Sequence, residues 1–387
     1  MINQSDRPFQ SPRIGIIGGG QLGRMLVQAA ARFGCECVVL DPDPNSPAGQ
    51  LAARQLVGSC HDADWLRRLA EQADVITYEI EDIDCVTLAE LEQQGQAIYP
   101  SPRVLSIIQD KLHQKQYLQQ QGIPSATFVP LDTPTEADCA AFGYPLVQKA
   151  RRGGYDGRGV CVMRDASDYV KHLPVPSLIE ACVPIKKELA VMVARGQDGQ
   201  SVTYPVVEMR FHAEQNILDK LLAPADIPDN IAHAAREIAI RTIEAIEGVG
   251  IFGVELFLDD QDQLMVNEIA PRTHNSGHHT LDANVTDQFE QQLRAILGLP
   301  LGSTETMKPA VMVNVLGAPG HFGSPVIRGL SEVLAQPGVN VHWYGKQQTR
   351  PYRKMGHMTV VGDDLAHIAE IAEQARQQLQ IQGAAGD

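Results

Sequence analysis

Positive charge is scarce in this chain of 387 residues: 32 Lys and Arg stand against 47 Asp and Glu, a net charge of −15. That balance opposes nonspecific attraction to a nucleic-acid polymer or an anionic membrane, so a phosphate ligand would need a local basic site. A second absence is any apolar run of membrane-spanning length. The polar start, Met1-Ile2-Asn3-Gln4-Ser5-Asp6, also lacks the apolar core of a signal peptide. The seven cysteines (Cys35, Cys37, Cys60, Cys85, Cys139, Cys161, Cys182) are scattered, odd in number and free of CxxC pairs. Buried thiols in a reduced compartment fit that pattern better than a disulfide framework, and a cytoplasmic protein is expected. Internal repeats and low-complexity tracts are absent too, and the length calls for two or three domains.

What is present is first a βαβ opening. Arg13 to Ile17 reads as a buried strand, Gln21 to Phe33 as a helix, and Glu36 to Leu40 as a strand ending at Asp41. The alternation continues through a Trp65 to Gln72 helix, a Val75 to Glu79 strand, a Val86 to Gln94 helix and a short strand near Ala97 to Tyr99, which predicts a parallel sheet covered by helices. Ser101-Pro102 starts a further helix, and the first boundary is placed near Asp110. From about Phe128 the pattern becomes α+β: strands punctuated by Gly and Pro, a long helix from about Asn230 to Ile246, and two apolar runs, Gly253 to Leu258 and Leu264 to Ile269, which predict an antiparallel hairpin. A helix near Asp287 to Leu297 closes this segment, and Gly298 to Thr304 reads as a linker into a strand-rich third segment beginning at Pro309.

Several motifs carry chemistry. After Lys149, the stretch Arg151-Arg152-Gly153-Gly154-Tyr155-Asp156-Gly157-Arg158-Gly159 holds four glycines in seven residues, either a loop whose amides approach a phosphate closely or a structural turn. Gly18-Gly19-Gly20-Gln21-Leu22-Gly23 satisfies G-x-G-x-x-G between strand and helix, with Asp41 ending the next strand, so a dinucleotide-dependent oxidoreductase competes. With a four-residue Asp260 to Gln263 loop, the hairpin puts Glu255 opposite Glu268 and Phe257 opposite Val266. Two facing carboxylates in apolar strands repel, so one takes a proton or a cation bridges them; a magnesium ion shared with substrate phosphates suits the pair. Beyond Glu268 the chain becomes polar, with Arg272 as a candidate anion clamp and His274, His278 and His279 as a weak zinc pattern. Near the end, Trp343 to Lys346 and Arg350 to His357 concentrate positive charge, either a phosphate site or a solvated basic hairpin.

Taken together, Lys149, the glycine loop, Glu180 to Glu188, Glu255, Asn267-Glu268 and Arg272 resemble the nucleotide and magnesium set of the ATP-grasp superfamily. More closely, Gly18 to Met25, Thr77-Tyr78-Glu79, Gly153 to Gly159, Asn267 to His278 and Arg353-Lys354-Met355-Gly356-His357 resemble the N5-carboxyaminoimidazole ribonucleotide synthetases, over about residues 13 to 360. The resemblance implies an ATP-grasp architecture of mixed α/β and α+β class. Its parts are a Rossmann-like parallel-sheet domain at 13–110, a central ATP-grasp domain at 111–300 and a small strand-rich domain at 309–381.

The resemblance also implies roles. Arg103 and Lys149 contact ATP, and the glycine loop, Gly153, Gly154, Tyr155, Asp156, Gly157, Arg158 and Gly159, covers its phosphates, with Glu180 and Val183 at the adenine, Glu188 at the ribose and His212 elsewhere in the nucleotide site. Glu255 and Glu268, with Asn267, handle magnesium and phosphate; Tyr155, Asp156, Arg158, Arg272, His274 and Asn275 face bicarbonate and the amine. Gln21, Leu22, Glu79, Lys346, Arg353 and Lys354 bind aminoimidazole ribonucleotide. The implied reaction is an ATP- and bicarbonate-dependent carboxylation through carboxyphosphate, by a homodimer. The nearer rivals are other ATP-grasp enzymes, a formate-using glycinamide ribonucleotide transformylase or a biotin carboxylase. Val160 and Ile80 depart from residues common in relatives, which touches substrate positioning and not the reaction.

Overall fold

The computed structural model of the chain describes residues 11–154, 159–212 and 217–384. It divides into two compact units at Pro102. The first contains β1 (Ile14–Ile17), α1 (Gln21–Arg32), β2 (Cys37–Asp41), β3 (Arg54–Val57), α2 (Ala63–Ala70), β4 (Val75–Tyr78), α3 (Cys85–Gln93) and β5 (Ala97–Ile98). Its strands run parallel in the order β3-β2-β1-β4-β5. β1, β2 and β4 are buried almost throughout, as strands with helices over both faces must be. Asp62 and Asp84 start α2 and α3 by accepting backbone N–H bonds at the N-cap. The edge strand β3 was not expected from the sequence: Arg54-Gln55-Leu56-Val57 is short and half-exposed, with no strong alternation to mark it.

The second unit begins with α4 (Pro102–Ile108) and α5 (Lys111–Gln120), the latter capped by Asp110. Then come β6 (Phe128–Leu131), α6 (Glu136–Phe142), β7 (Leu146–Ala150), β8 (Val160–Met163) and β9 (Ser177–Ala181), which form an antiparallel sheet ordered β6-β9-β7-β8. The chain continues through β10 (Ile185–Arg195), β11 (Ser201–Thr203), β12 (Val207–Phe211), β13 (Leu218–Ala223), α7 (Asp229–Ala245), β14 (Gly250–Asp259), β15 (Leu264–Ala270), α8 (Thr280–Ala283) and α9 (Gln288–Ile296). The last stretch holds β16 (Ala310–Leu316), β17 (Pro325–Arg328), α10 (Leu330–Leu334), β18 (Val339–Trp343), β19 (Lys354–Val361), α11 (Leu365–Gln378) and β20 (Gln380–Gly383).

A nine-stranded sheet runs β15-β14-β10-β12-β13-β16-β19-β18, with β11 beside β10. Because β13 pairs with β16 from Lys220↔Val313 to Ala223↔Ala310, the strands after the 298–304 linker continue the central sheet. That last stretch is strand-rich, as its sequence suggests, and carries α11 as well. α11 packs Ile368, Ala372 and Ala375 into a core with Val313, Val315 and Met358.

Strand alternation gives the large sheet two different faces. On one, Leu189, Val191 and Val193 of β10, Val254, Leu256 and Leu258 of β14, and Val266 and Ile269 of β15 bury against Ala235, Ala239 and Ile243 of α7. Each such side chain contributes about 1.5–3 kcal/mol by leaving water. The opposite face of β10 and β14 therefore carries the alternate residues, among them Glu188 and Glu255.

Candidate active site

The β14–β15 hairpin brings Glu255 opposite Glu268, as its sequence predicts, but by a different route. Near the tip, Leu258 pairs with Leu264, Phe257 with Met265 and Leu256 with Val266, so Phe257 does not face Val266 as expected. The Asp259 carboxylate accepts from Gln261 N–H (2.9 Å) and Gln263 N–H (2.8 Å), drawing the turn one residue off the simple register. A bulge between Glu255 and Leu256 then restores it: Asn267 is the additional residue, and Glu268 returns opposite Glu255. A bulge re-aims side chains locally. Here it lets two consecutive residues serve one site: Asn267 Nδ2 lies 3.5 Å from Glu255 Oε2, while its Oδ1 accepts from Lys149 Nζ at 2.9 Å.

Around this pair the charges are interleaved. Lys149 Nζ also lies 2.9 Å from Glu180 Oε2, and Lys115 Nζ lies 3.2 Å from Glu180 Oε1. Lys111 Nζ meets Glu268 Oε1 at 2.8 Å. Burial, reinforced by Glu268 and Glu188, pushes the Glu255 carboxyl above its usual range. Burial acts the same way on Glu268, but Lys111 and Lys149 outweigh it and hold that group low. The facing carboxylates thus divide their roles, one charged and one inclined to keep a proton, as like charges forced together must. Burial also raises Glu188 to about 7 against the pull of Lys149.

His274 joins the group from the polar segment after β15. Its Nε2 lies 3.7 Å from Glu255 Oε1 and its Nδ1 lies 2.9 Å from Ser276 Oγ. Gly253 makes room for it, since a Cβ there would stand 2.9 Å from His274 Cβ. Asn275 pairs amide to amide with Asn314 of β16 (3.1 and 3.0 Å), and Arg272 donates to Thr273 O at 3.1 Å. The clustered histidines go separate ways: His278 contacts Gln288 and lies tilted against the His357 ring at 4.7 Å, and His279 meets Ser276 O. Among the described residues no group of three or more His, Cys, Asp or Glu is arranged to hold a metal. Two facing carboxylates would nevertheless fit a magnesium ion that takes its remaining ligands from substrate phosphates and water, and the raised Glu255 is what a cation there would relieve.

The glycine loop leaves β7 directly after Lys149 and is closed at its base by Ala150 N–H donating to Gly159 O at 2.8 Å. Gly153 (φ 76°) and Gly159 (φ 77°) occupy left-handed backbone that other residues resist. Tyr155, Asp156, Gly157 and Arg158 lie outside the described residues. At the loop's start Arg151 forks onto Asp110, with Nη2 2.6 Å from Oδ2, and Lys111 N–H donates to Arg151 O at 2.9 Å. Arg103 turns elsewhere, donating to Ile246 O (2.7 Å) and Glu247 at the end of α7. Val183 is partly buried in the β9–β10 connection, and His212 is exposed, its N–H donating to Ile217 O at 2.9 Å. Lys346 Nζ donates to Lys354 O (2.7 Å) and Arg353 Nη1 to Gln348 O (2.6 Å), within the long connection from β18 to β19.

In the first unit, Gln21 and the buried Leu22 open α1. The amides of the preceding glycine turn are already taken: Gly19 N–H donates to Asp41 Oδ2 at 2.7 Å, Gly20 N–H to Glu79 Oε1, and Gly23 N–H to Glu79 Oε2 at 2.9 Å. The protein's own carboxylate therefore sits where a dinucleotide pyrophosphate would meet the helix N-terminus, and Asp41 faces an amide instead of a ribose. Lys111, Lys115 and Asp110 were missed by sequence reasoning, which treated this stretch as a boundary. Their signal was the Asp-Lys-x-x-x-Lys spacing, an N-cap followed by two lysines on one helix face.

A partly buried lysine beside a glycine loop, opposite a carboxylate hairpin, is the arrangement of an ATP-grasp ligase, and the ATP-grasp domain family matches residues 116–289. The ribonucleotide synthetase preATP-grasp domain family matches residues 12–109, and the phosphoribosylaminoimidazole carboxylase C-terminal domain family residues 310–371. The chain is 42% identical over 374 residues to N5-carboxyaminoimidazole ribonucleotide synthase of Synechococcus elongatus, covering 95% of this chain and 93% of that one. The crystal structure of N5-carboxyaminoimidazole ribonucleotide synthetase from Thermotoga maritima superposes with a TM-score of 0.90 at 48% identity, covering 96% and 99% of the two chains. That of the Aspergillus clavatus N5-carboxyaminoimidazole synthase in complex with ADP and 5-aminoimidazole ribonucleotide gives 0.86 at 34% identity, covering 94% and 99%. The chain belongs to the N5-carboxyaminoimidazole ribonucleotide synthase family.

Proposed function

We infer that this protein carboxylates 5-aminoimidazole ribonucleotide to N5-carboxyaminoimidazole ribonucleotide in purine biosynthesis, at the expense of ATP. The observation that carries the chemistry is the bulge that assembles Glu255, Asn267 and Glu268 beside Lys149. Bicarbonate is a poor electrophile. Transfer of the ATP γ-phosphoryl group to a bicarbonate oxygen releases ADP and makes carboxyphosphate; the exocyclic amine then takes the carboxyl carbon, phosphate leaves and the amine loses a proton. A magnesium ion, held by Glu255 and Glu268, would neutralise charge on the transferring phosphoryl group. Lys149 adds a fixed ammonium, and Arg272 supplies a guanidinium suited to an anion. Carboxyphosphate hydrolyses readily, so the loop from Gly153 to Gly159 is proposed as a cover that excludes water.

The remaining assignments rest on resemblance. Arg103, Glu180, Val183, Glu188 and His212 are proposed for the nucleotide, and Tyr155, Asp156, Arg158, His274 and Asn275 for bicarbonate and the amine. Gln21, Leu22, Glu79, Lys346, Arg353 and Lys354 are proposed for the ribonucleotide. A division into functional segments at 13–110, 111–300 and 309–381, a homodimer and a cytoplasmic location belong to the same proposal. The seven free cysteines accord with a reducing compartment, and no helix among the described residues is long and apolar enough to cross a membrane. The test is ADP release with and without 5-aminoimidazole ribonucleotide and bicarbonate, with NADH oxidation followed in parallel. Ribonucleotide-stimulated ADP release is expected; its absence, or NADH turnover, overturns the assignment.

A further inference from the structure

α5 presents a single face to the active site. Lys111 and Lys115 stand one helical turn apart, with Gln114 between them, and each reaches a different strand. Lys111 goes to Glu268 on β15, Gln114 Oε1 accepts from Ile269 N–H at 3.3 Å, and Lys115 goes to Glu180 on β9. The helix start is itself fastened to the glycine loop, because Asp110 both caps α5 and receives the Arg151 fork.

Lys115 differs from its neighbours in having no route to a ligand. Its side chain is 4% exposed and that of Glu180 3%, whereas Lys149 is 12% exposed and Lys111 16%. Burying an ammonium this deeply is unfavourable without a strong reason. Its consequence is electrostatic: one carboxylate, Glu180, lies between two ammonium groups, one oxygen toward each. Glu180 and Lys149 alone would neutralise one another, and the carboxylate would be available to close on Lys149 with both oxygens. With Lys115 Nζ 3.2 Å from Oε1, an ion pair without hydrogen-bond geometry, and Lys149 Nζ 2.9 Å from Oε2, Glu180 is shared between two ammonium groups, and the trio retains one net positive charge directed at the place where Lys149 meets phosphate.

We propose that Lys115 is a positioning residue, which acts through Glu180 to hold the Lys149 ammonium in place and uncompensated for the phosphates of the nucleotide. This rests on the reading of Lys149 as a phosphate-binding residue, and deepens it. Lys115 touches no substrate; it sets what Lys149 can do. Burial, joined by the Lys149 and Lys111 ammonium groups, lowers the Lys115 pKa to about 8 against the raising effect of Glu180, so the device weakens as the solution becomes alkaline.

A double-substitution cycle on the full chain tests it, with ADP binding measured by calorimetry in the presence of magnesium and melting temperature recorded for each variant. Lys115→Met is expected to weaken ADP binding about tenfold or more, the size of one unscreened charge acting at several ångströms. Lys149→Met weakens it further, and the double variant is expected to match Lys149→Met within about twofold, because Lys115 has nothing left to position. Lys115→Arg, which keeps the charge, is expected to recover most of the affinity. Should Lys115→Met fail to fold, Lys115→Gln, shorter and polar, carries the same cycle. Losses that multiply independently, or ADP affinity unchanged in a Lys115 variant that merely melts earlier, overturn the proposal. Failure of the unsubstituted protein to bind ADP would instead overturn the nucleotide-site reading beneath it.

Discussion

Replacing Glu255 with glutamine should make the metal-free protein more stable and the enzyme inactive. Glu255 faces Glu268 across an antiparallel pair, and facing Cβ atoms lie about 5 Å apart in such a pair. At that separation two full charges repel by about 3 kcal/mol at an effective dielectric constant of about 20. The side chains are 19% and 39% exposed and Lys111 already sits on Glu268, so solvent and that ammonium reduce the figure. A net gain of about 1–2 kcal/mol remains for Glu255→Gln in chelator at alkaline pH, seen as about 3 °C in melting temperature. The sign follows from the raised Glu255 pKa. A carboxyl raised on folding contributes stability that is fully present below the unfolded pKa and is lost as pH rises through the folded one. The wild type should therefore lose stability relative to the variant across about pH 5 to about pH 9, the two converging at the acid end. Magnesium with ADP should reverse the order at the alkaline end, raising the wild-type melting temperature more than the variant's, and ADP release should be lost in Glu255→Gln. A variant no more stable than wild type in chelator at about pH 9, or one stabilised equally by magnesium and ADP, would refute the repulsion and the metal assignment respectively.

Two other outcomes follow from the same geometry. Glu188, raised to about 7 by burial, gains its charge only above that pH and so becomes the better acceptor for nucleotide hydroxyls there; ADP affinity should fall by up to about tenfold from about pH 8 to about pH 6 in wild type and stay flat in Glu188→Gln, and parallel profiles would remove Glu188 from the nucleotide site. Glu79→Gln should destabilise the first unit by about 1–3 kcal/mol in urea, since a charged acceptor for the Gly20 and Gly23 amides is lost; an unchanged midpoint would show that the carboxylate does not hold the glycine turn.

The strands and helices of the βαβ opening were legible because their signals are local: apolar runs of strand length and glycines at the turn. The hairpin and its facing glutamates were legible for the same reason, from loop length and alternation. Their pairing nevertheless holds through a shift at the tip and a compensating bulge, and no periodicity announces the bulge at Asn267. Lys111 and Lys115 escaped notice because their importance depends on which strands α5 packs against, β15 and β9, both far along the chain.

The glycine turn after β1 shows the division most clearly. Its residue types by themselves determined that the chain turns tightly there from strand into helix, since few other residues allow so close an approach of backbone. They could not determine what the exposed amides would meet. Only the parallel pairing of β1 with β4, which carries Glu79 to that helix end, decided that the partner is the protein's own carboxylate. The same holds across the second unit: sequence determined the class of chemistry, through its lysine, glycines and glutamates, because residue type sets what a group can bind. Tertiary structure decided their charge states, because burial and opposite-charge neighbours are contributed by elements distant in the chain.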